Sequence, residues 1–211
     1  MNGDELRTVL QHALGLLESA REELRELDAA IGDGDLGITV AGGAAAVRME
    51  LETATGPMTP ADVLRTVAKR FAATNPSTMS ALVASALLAA AKAVGDATEL
   101  DRAAAVMLIQ SAADRIAERG GANLGDKTIL DALVPSIDAL RDAPADAREA
   151  LDRMTEAARE GVESTTALQS QRGRAAWVGE RSIGHPDGGA TAYLRFLESL
   201  RAAWPSTGGG G

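Results

Sequence analysis

The chain has 211 residues, a formal net charge of −9 at pH 7, no cysteine, two histidines and 2% aromatic residues. Without cysteine there are no disulfides, thiolate metal sites or cysteine nucleophile, and His12 and His185 alone do not build a His-rich zinc centre. An acidic surface poor in aromatic rings suits neither a duplex binder nor a base-stacking platform, so no nucleic-acid partner is expected. Asp4, Glu5 and Arg7 interrupt any secretory apolar segment, and the most apolar run, residues 81–91, is far short of the roughly 20 residues that span a bilayer. The expectation is a cytoplasmic protein with no membrane partner and a core large enough to need no staples.

The elements read as helices. Alanine, the best helix former, makes up about a fifth of the chain, and no segment alternates as a strand should. A first helix is expected over residues 4–30, where Leu6, Leu10, Leu14, Leu17, Leu24 and Leu27 keep mostly three- and four-residue spacing. A second starts near Gly37 and ends before Gly56. Thr59 caps a third, with Pro60 in its first turn and Asp62 three residues on. Further helices are expected over 77–94, 99–119, 126–141 and 146–169. A long ordered, glycine-rich loop over 171–189 precedes the last helix, 190–203. Eight helices without a linker make one all-α domain over residues 1–205, and the glycine-rich tail 206–211 is expected to be disordered.

Three segments carry candidate chemistry. Residues 27–39, LDAAIGDGDLGIT, place Asp28, Asp33 and Asp35 around a short glycine-rich turn. The glycines let the carboxylates turn inward, and hard divalent cations take oxygen ligands. Gly37 follows at a helix start, where free N–H groups favour anions. Metal ligands followed by a phosphate cradle is a kinase-like order. The same residues also serve as ordinary Asp-Gly turns; an EF-hand is excluded, because Ala44 stands where its twelfth-position Glu belongs. The second segment, residues 120–128, leads glycines into a helix with Asp126 as an expected cap. In the third, residues 172–189, Arg174 or Arg181 suits bidentate phosphate binding, or an ion-pair network with Glu180.

Taken together, LDAAIGDGDLGI (27–38), GDKTILDALVPSIDA (125–139) and RGRAAWVGERSIGHPDGGA (172–190) resemble the L subunit, or nucleotide-binding domain, of dihydroxyacetone kinases, in the family's order and over nearly the full length. The resemblance implies a closed barrel of eight antiparallel helices with ADP or ATP at one end. It implies that Asp28, Asp33 and Asp35 hold two Mg2+ ions as the catalytic and metal residues. It further implies nucleotide contacts from Leu36, Gly37, Ile38, Thr39, Met79, Ser80, Gly120, Ile129, Arg174, Asp187, Gly188 and Gly189. The chain departs from the family where Leu36 replaces a usual His and where Met79-Ser80 replaces a phosphate-facing Ser-Gly, which predicts weaker nucleotide binding.

The activity implied is phosphoryl transfer from ATP, or from bound ADP recharged by a phosphotransferase-system subunit, to dihydroxyacetone or another ketose. A separate K-type subunit would hold the sugar. The rivals are a non-catalytic nucleotide-binding regulatory module and the ATP domain of a fatty acid kinase-like enzyme. Neither His12 nor His185 is placed to hold a ketose, so the acceptor is expected from a partner.

Overall fold

The computed structural model describes residues 1–205. The expected disordered tail, 206–211, lies outside the described residues. The α-helices are α1 (Gly3–Leu17), α2 (Arg21–Ile31), α3 (Leu36–Thr53), α4 (Pro60–Thr74), α5 (Thr78–Val94), α6 (Arg102–Gly120), α7 (Leu130–Arg141), α8 (Ala147–Thr165) and α9 (Gly188–Ala203). Short 3-10 segments lie at Glu18–Ala20 and over Arg174–Ser182, the latter broken by a kink at Gly179. The described residues form one all-α domain with no β-strand.

Local chemistry sets most boundaries. Thr59 and Asp62 make the expected reciprocal capping box at α4, with Pro60 in the first turn. Ser77, Asp101, Asp146 and Asp187 cap α5, α6, α8 and α9 through side-chain oxygens. Three expectations are corrected. The helix over 4–30 is two helices, because Glu18–Ala20 tightens to 3-10 geometry and the Ser19 hydroxyl donates back to the Leu16 carbonyl at 2.7 Å. The helix expected from Asp126 starts at Leu130, because Lys127 has a left-handed φ of 62° that no α-helix continues. The helix expected to reach residue 169 ends at Thr165.

Packing follows the chain. Each helix from α3 onward lies against the next, α2 lies on α3, and α9 packs against both α8 and α1. Small side chains bring axes close. Gly161 of α8 shows the extreme: a Cβ there would collide with the Asp131 carbonyl and stand 2.8 Å from the Ala132 Cα on α7. One apolar cluster joins α1, α2, α3 and α4 through Leu10, Leu24, Val47, Leu51 and Val63. Another joins α7, α8 and α9 through Ala132, Leu151, Ala158, Leu194 and Leu197. Approaches of Gly188 to Leu36, Gly189 to Ile129 and Gly120 to Leu82 bring the starts of α3, α5, α7 and α9 to one end of the domain, together with the connections that enter them.

Candidate nucleotide site

Every segment singled out from the sequence reaches that end. Oxygen atoms of Asp28, Asp33 and Asp35 come within 4.8 Å of one another. Asp28 sits in the last turn of α2, and the Gly32–Asp35 turn brings Asp33 and Asp35 back toward it; Gly34 takes the left-handed φ of 76° this reversal needs. One Asp28 oxygen accepts the Leu36 N–H at 3.2 Å, tying the cluster to the first turn of α3. Helix geometry leaves the next amides, Gly37 and Ile38, without intrahelical acceptors, while Thr39 N–H is already bonded to the Asp35 carbonyl. Gly37 is buried, and a Cβ there would strike the Arg21 carbonyl of α2.

Arg174 reaches the cluster from the far part of the chain. Its guanidinium pairs with Asp33 and, at 3.3 Å, with Asp35. The alternative partner, Glu180, is not the one it takes. Arg172 instead pairs with Asp126 at 2.9 Å. That contact and the Asn123 N–H hold the Asp126 carboxyl below the usual range; the backbone hydrogen bond is the larger cause. Asp126 therefore closes a turn and links two loops, rather than capping a helix.

The remaining candidates lie around the same end. A Cβ on Gly188 would meet the Leu36 side chain at 2.8 Å, and one on Gly189 would meet Ile129 at 3.5 Å. Gly120, at the end of α6, faces Leu82 of α5. Met79 is half-buried against the same apolar cluster as Leu36. Ser80 is buried, and its hydroxyl donates to the Asn75 carbonyl at 2.7 Å. It is thus directed into the α4–α5 turn.

Two residues at this end carry no sequence signal of their own. Asp131 is buried, and its carboxylate accepts the Gly125 N–H at 2.6 Å and the Thr128 N–H at 2.7 Å, folding the α6–α7 connection over the start of α7. Lys127 is 1% exposed; its ammonium donates to the carbonyls of Leu168 and Ser182, and burial pulls its pKa down from the ordinary lysine value.

Comparison with protein families identifies the one to which the chain belongs. The family model described as the DAK2 domain matches residues 30–202. The chain belongs to the DAK2 domain family. This DAK2 domain is 34% identical over 202 residues to the ADP-binding subunit DhaL of a PEP-dependent dihydroxyacetone kinase from Listeria innocua, covering 92% of this chain and 94% of that one. It is 36% identical over 183 residues to L-erythrulose 1-kinase of Mycolicibacterium smegmatis, covering 84% of this chain and only 32% of that enzyme. Among solved structures it resembles the dihydroxyacetone kinase of C. freundii in complex with AMP-PNP and Mg2+, with a TM-score of 0.76 at 22% identity over 94% of this chain and 33% of that one. That likeness establishes the shared helical fold.

Asp187 gives this DAK2 domain a pH signature. Its carboxylate caps α9 by accepting the Ala190 N–H at 2.7 Å. Burial, reinforced by the nearby Asp131 charge, pushes its pKa up to about 6 from 3.8. A raised carboxyl pKa means that the folded state holds its proton more tightly than the unfolded chain. Stability therefore declines as pH rises from about 4 to about 6, and the loss is complete above that window. Asp187→Asn keeps a capping oxygen and removes the charge. Urea denaturation should show the variant gaining on the wild type across pH 4–6, to a plateau on the order of 2 kcal/mol. A difference independent of pH would refute this cause.

Proposed function

We propose that this DAK2 domain carries the nucleotide of a ketose kinase and presents its terminal phosphate to an acceptor held by a separate K-type subunit. The observation that supports it most is the meeting of Asp28, Asp33 and Asp35 with Arg174 at the N-terminus of α3. Three hard oxygen donors within 4.8 Å suit Mg2+, and two such ions are part of the reading. A divalent cation bound there would neutralise phosphate charge. The three aspartates would hold it, and the free amides at the start of α3 would receive phosphate oxygens. Arg174 has a guanidinium fork matched to phosphate and stands beside the same acids. Gly120, Ile129 and the Asp187–Gly189 turn would frame the rest of the nucleotide. In-line transfer needs donor and acceptor oriented together, and neither of the chain's two histidines, His12 and His185, suits covalent sugar capture, which leaves the acceptor to the partner.

Ile38, Leu124, Trp177 and Ile183 are large exposed apolar residues in the segments of this same end, and Trp177 is 86% exposed. They support docking of the acceptor subunit there. The phosphate source is either free ATP or bound ADP recharged by a phosphotransferase-system subunit, in a cytoplasmic setting. No described helix is long and apolar enough to cross a membrane. The Ser80 hydroxyl, directed at Asn75, favours a second reading: a regulatory module that binds nucleotide without turnover.

The test is to incubate the protein with Mg-ATP and short ketoses, alone and with a K-type subunit. Sugar phosphate is expected only in the mixture. Turnover by the chain alone would place the acceptor site within it, and nucleotide binding without turnover in the mixture would favour the regulatory reading.

A further inference from the structure

We infer that Lys127 is a positioning residue that fixes Arg174 beside the acidic cluster by clasping both ends of the loop that carries it. The functional consequence rests on the nucleotide reading above; the clasp rests on contacts of Lys127 itself.

Lys127 is the one non-glycine residue with positive φ among the described residues. Its left-handed backbone, uncommon and costly for a side chain of this size, accompanies a side chain buried beneath the 168–182 segment. The ammonium donates at 2.9 Å to the Leu168 carbonyl and at 2.6 Å to the Ser182 carbonyl. These residues bracket Arg172 and Arg174. The stem is completed by Ser170 N–H on the Ser182 hydroxyl at 2.9 Å and Gln171 N–H on the Asp126 carbonyl at 3.0 Å.

Magnitudes separate this clasp from the other contacts of the loop. The Arg174 pairs with Asp33 and Asp35 are half exposed, and exposed ion pairs contribute little, roughly 0–1 kcal/mol. Arg174 also follows Gly173, whose φ of 64° makes a ready pivot. Neither feature would hold a guanidinium in place. The two Lys127 bonds are charge-assisted and shielded from water, the stronger kind. Burying an ammonium is costly unless its hydrogen bonds are made, so the loop ends and the lysine hold one another.

The experiment uses the full chain as wild type, K127M, R174Q and the double variant. Hydrogen exchange without added ligand should show residues 171–184 of K127M exchanging about tenfold faster, with α3 and α5 unchanged. Calorimetry with Mg-ADP should show affinity about tenfold weaker in K127M, while in the R174Q background the same change should cost less than about twofold, because a residue acting through Arg174 loses its effect once Arg174 is gone. Mg2+ alone should bind K127M as it binds the wild type. Unchanged exchange in 171–184, or equal losses in the two backgrounds, would overturn the assignment. If K127M loses its helical circular dichroism, K127Q, which keeps a donor, supplies the same comparisons. A wild-type chain that binds no Mg-ADP overturns the nucleotide reading and the positioning role with it, and the exchange data then judge the clasp alone.

Discussion

Asp35→Asn is expected to erase the thermal stabilisation that Mg-nucleotide gives the wild-type chain. A ligand that binds only the folded state stabilises it by mass action, about 2.7 kcal/mol at a concentration one hundred times its Kd. For a chain of this length that corresponds to a rise in Tm of roughly 5–10 °C. Asp35 supplies one of three carboxylates whose oxygens lie within 4.8 Å. An amide in its place keeps the size and loses the charge that makes the set attractive to a hard cation. The far-ultraviolet circular dichroism should not change, since Asp35 makes no side-chain cap for α3. Differential scanning fluorimetry with and without Mg-nucleotide decides it. A shift in the variant equal to that of the wild type would remove the metal role from the cluster.

The second large effect is expected from Gly161→Ala, on the seam between α7 and α8. The added methyl would collide with the Asp131 carbonyl and crowd the Ala132 Cα, all backbone atoms of α7. Backbone cannot rotate aside, so α7 and α8 must separate along a buried seam that includes Ala132, Leu151 and Ala158. Overpacking of this kind costs about 1–3 kcal/mol and sits at the upper end where the obstacle is main chain. The loss should appear as a Tm lower by roughly 5–10 °C. Gly15→Ala in α1 is the control. Its new methyl would meet only the flexible Arg48 side chain, at 3.5 Å, and replacing a helical glycine by alanine should stabilise by about 0.5–1 kcal/mol. If both variants were equally stable, the close approach of α7 and α8 would be wrong.

These two glycines show what the sequence exposes and what it conceals. Helix formation was legible throughout, because alanine-rich segments and capping residues such as Thr59 with Asp62 act within a few residues. The acidic cluster was legible for the same reason: Asp28, Asp33 and Asp35 lie within eight residues around glycines. The break at Glu18–Ala20 was not, since good helix formers surround it. Asp126 misled because an Asp ahead of an apolar run is a common cap signal, whereas the real start waits for Leu130. Lys127 was invisible as an anchor. Its partners are carbonyls 41 and 55 residues away, and every residue has a carbonyl. Nor does the tight approach at Gly161 leave a mark beyond the glycine itself.

The pairing of Arg174 with Asp35 spans 139 positions, and α9 rests against α1. The two halves of the site therefore leave the ribosome far apart in time. At typical elongation rates of about 5–20 residues per second, Asp28 to Asp35 wait on the order of ten seconds for their guanidinium. Throughout that interval the face of α1 that α9 will cover remains open to water, and α8, once made, waits uncovered as well. The site can close only after the last helix is made, so a nascent chain stalled within α8 should possess the acids yet hold no nucleotide.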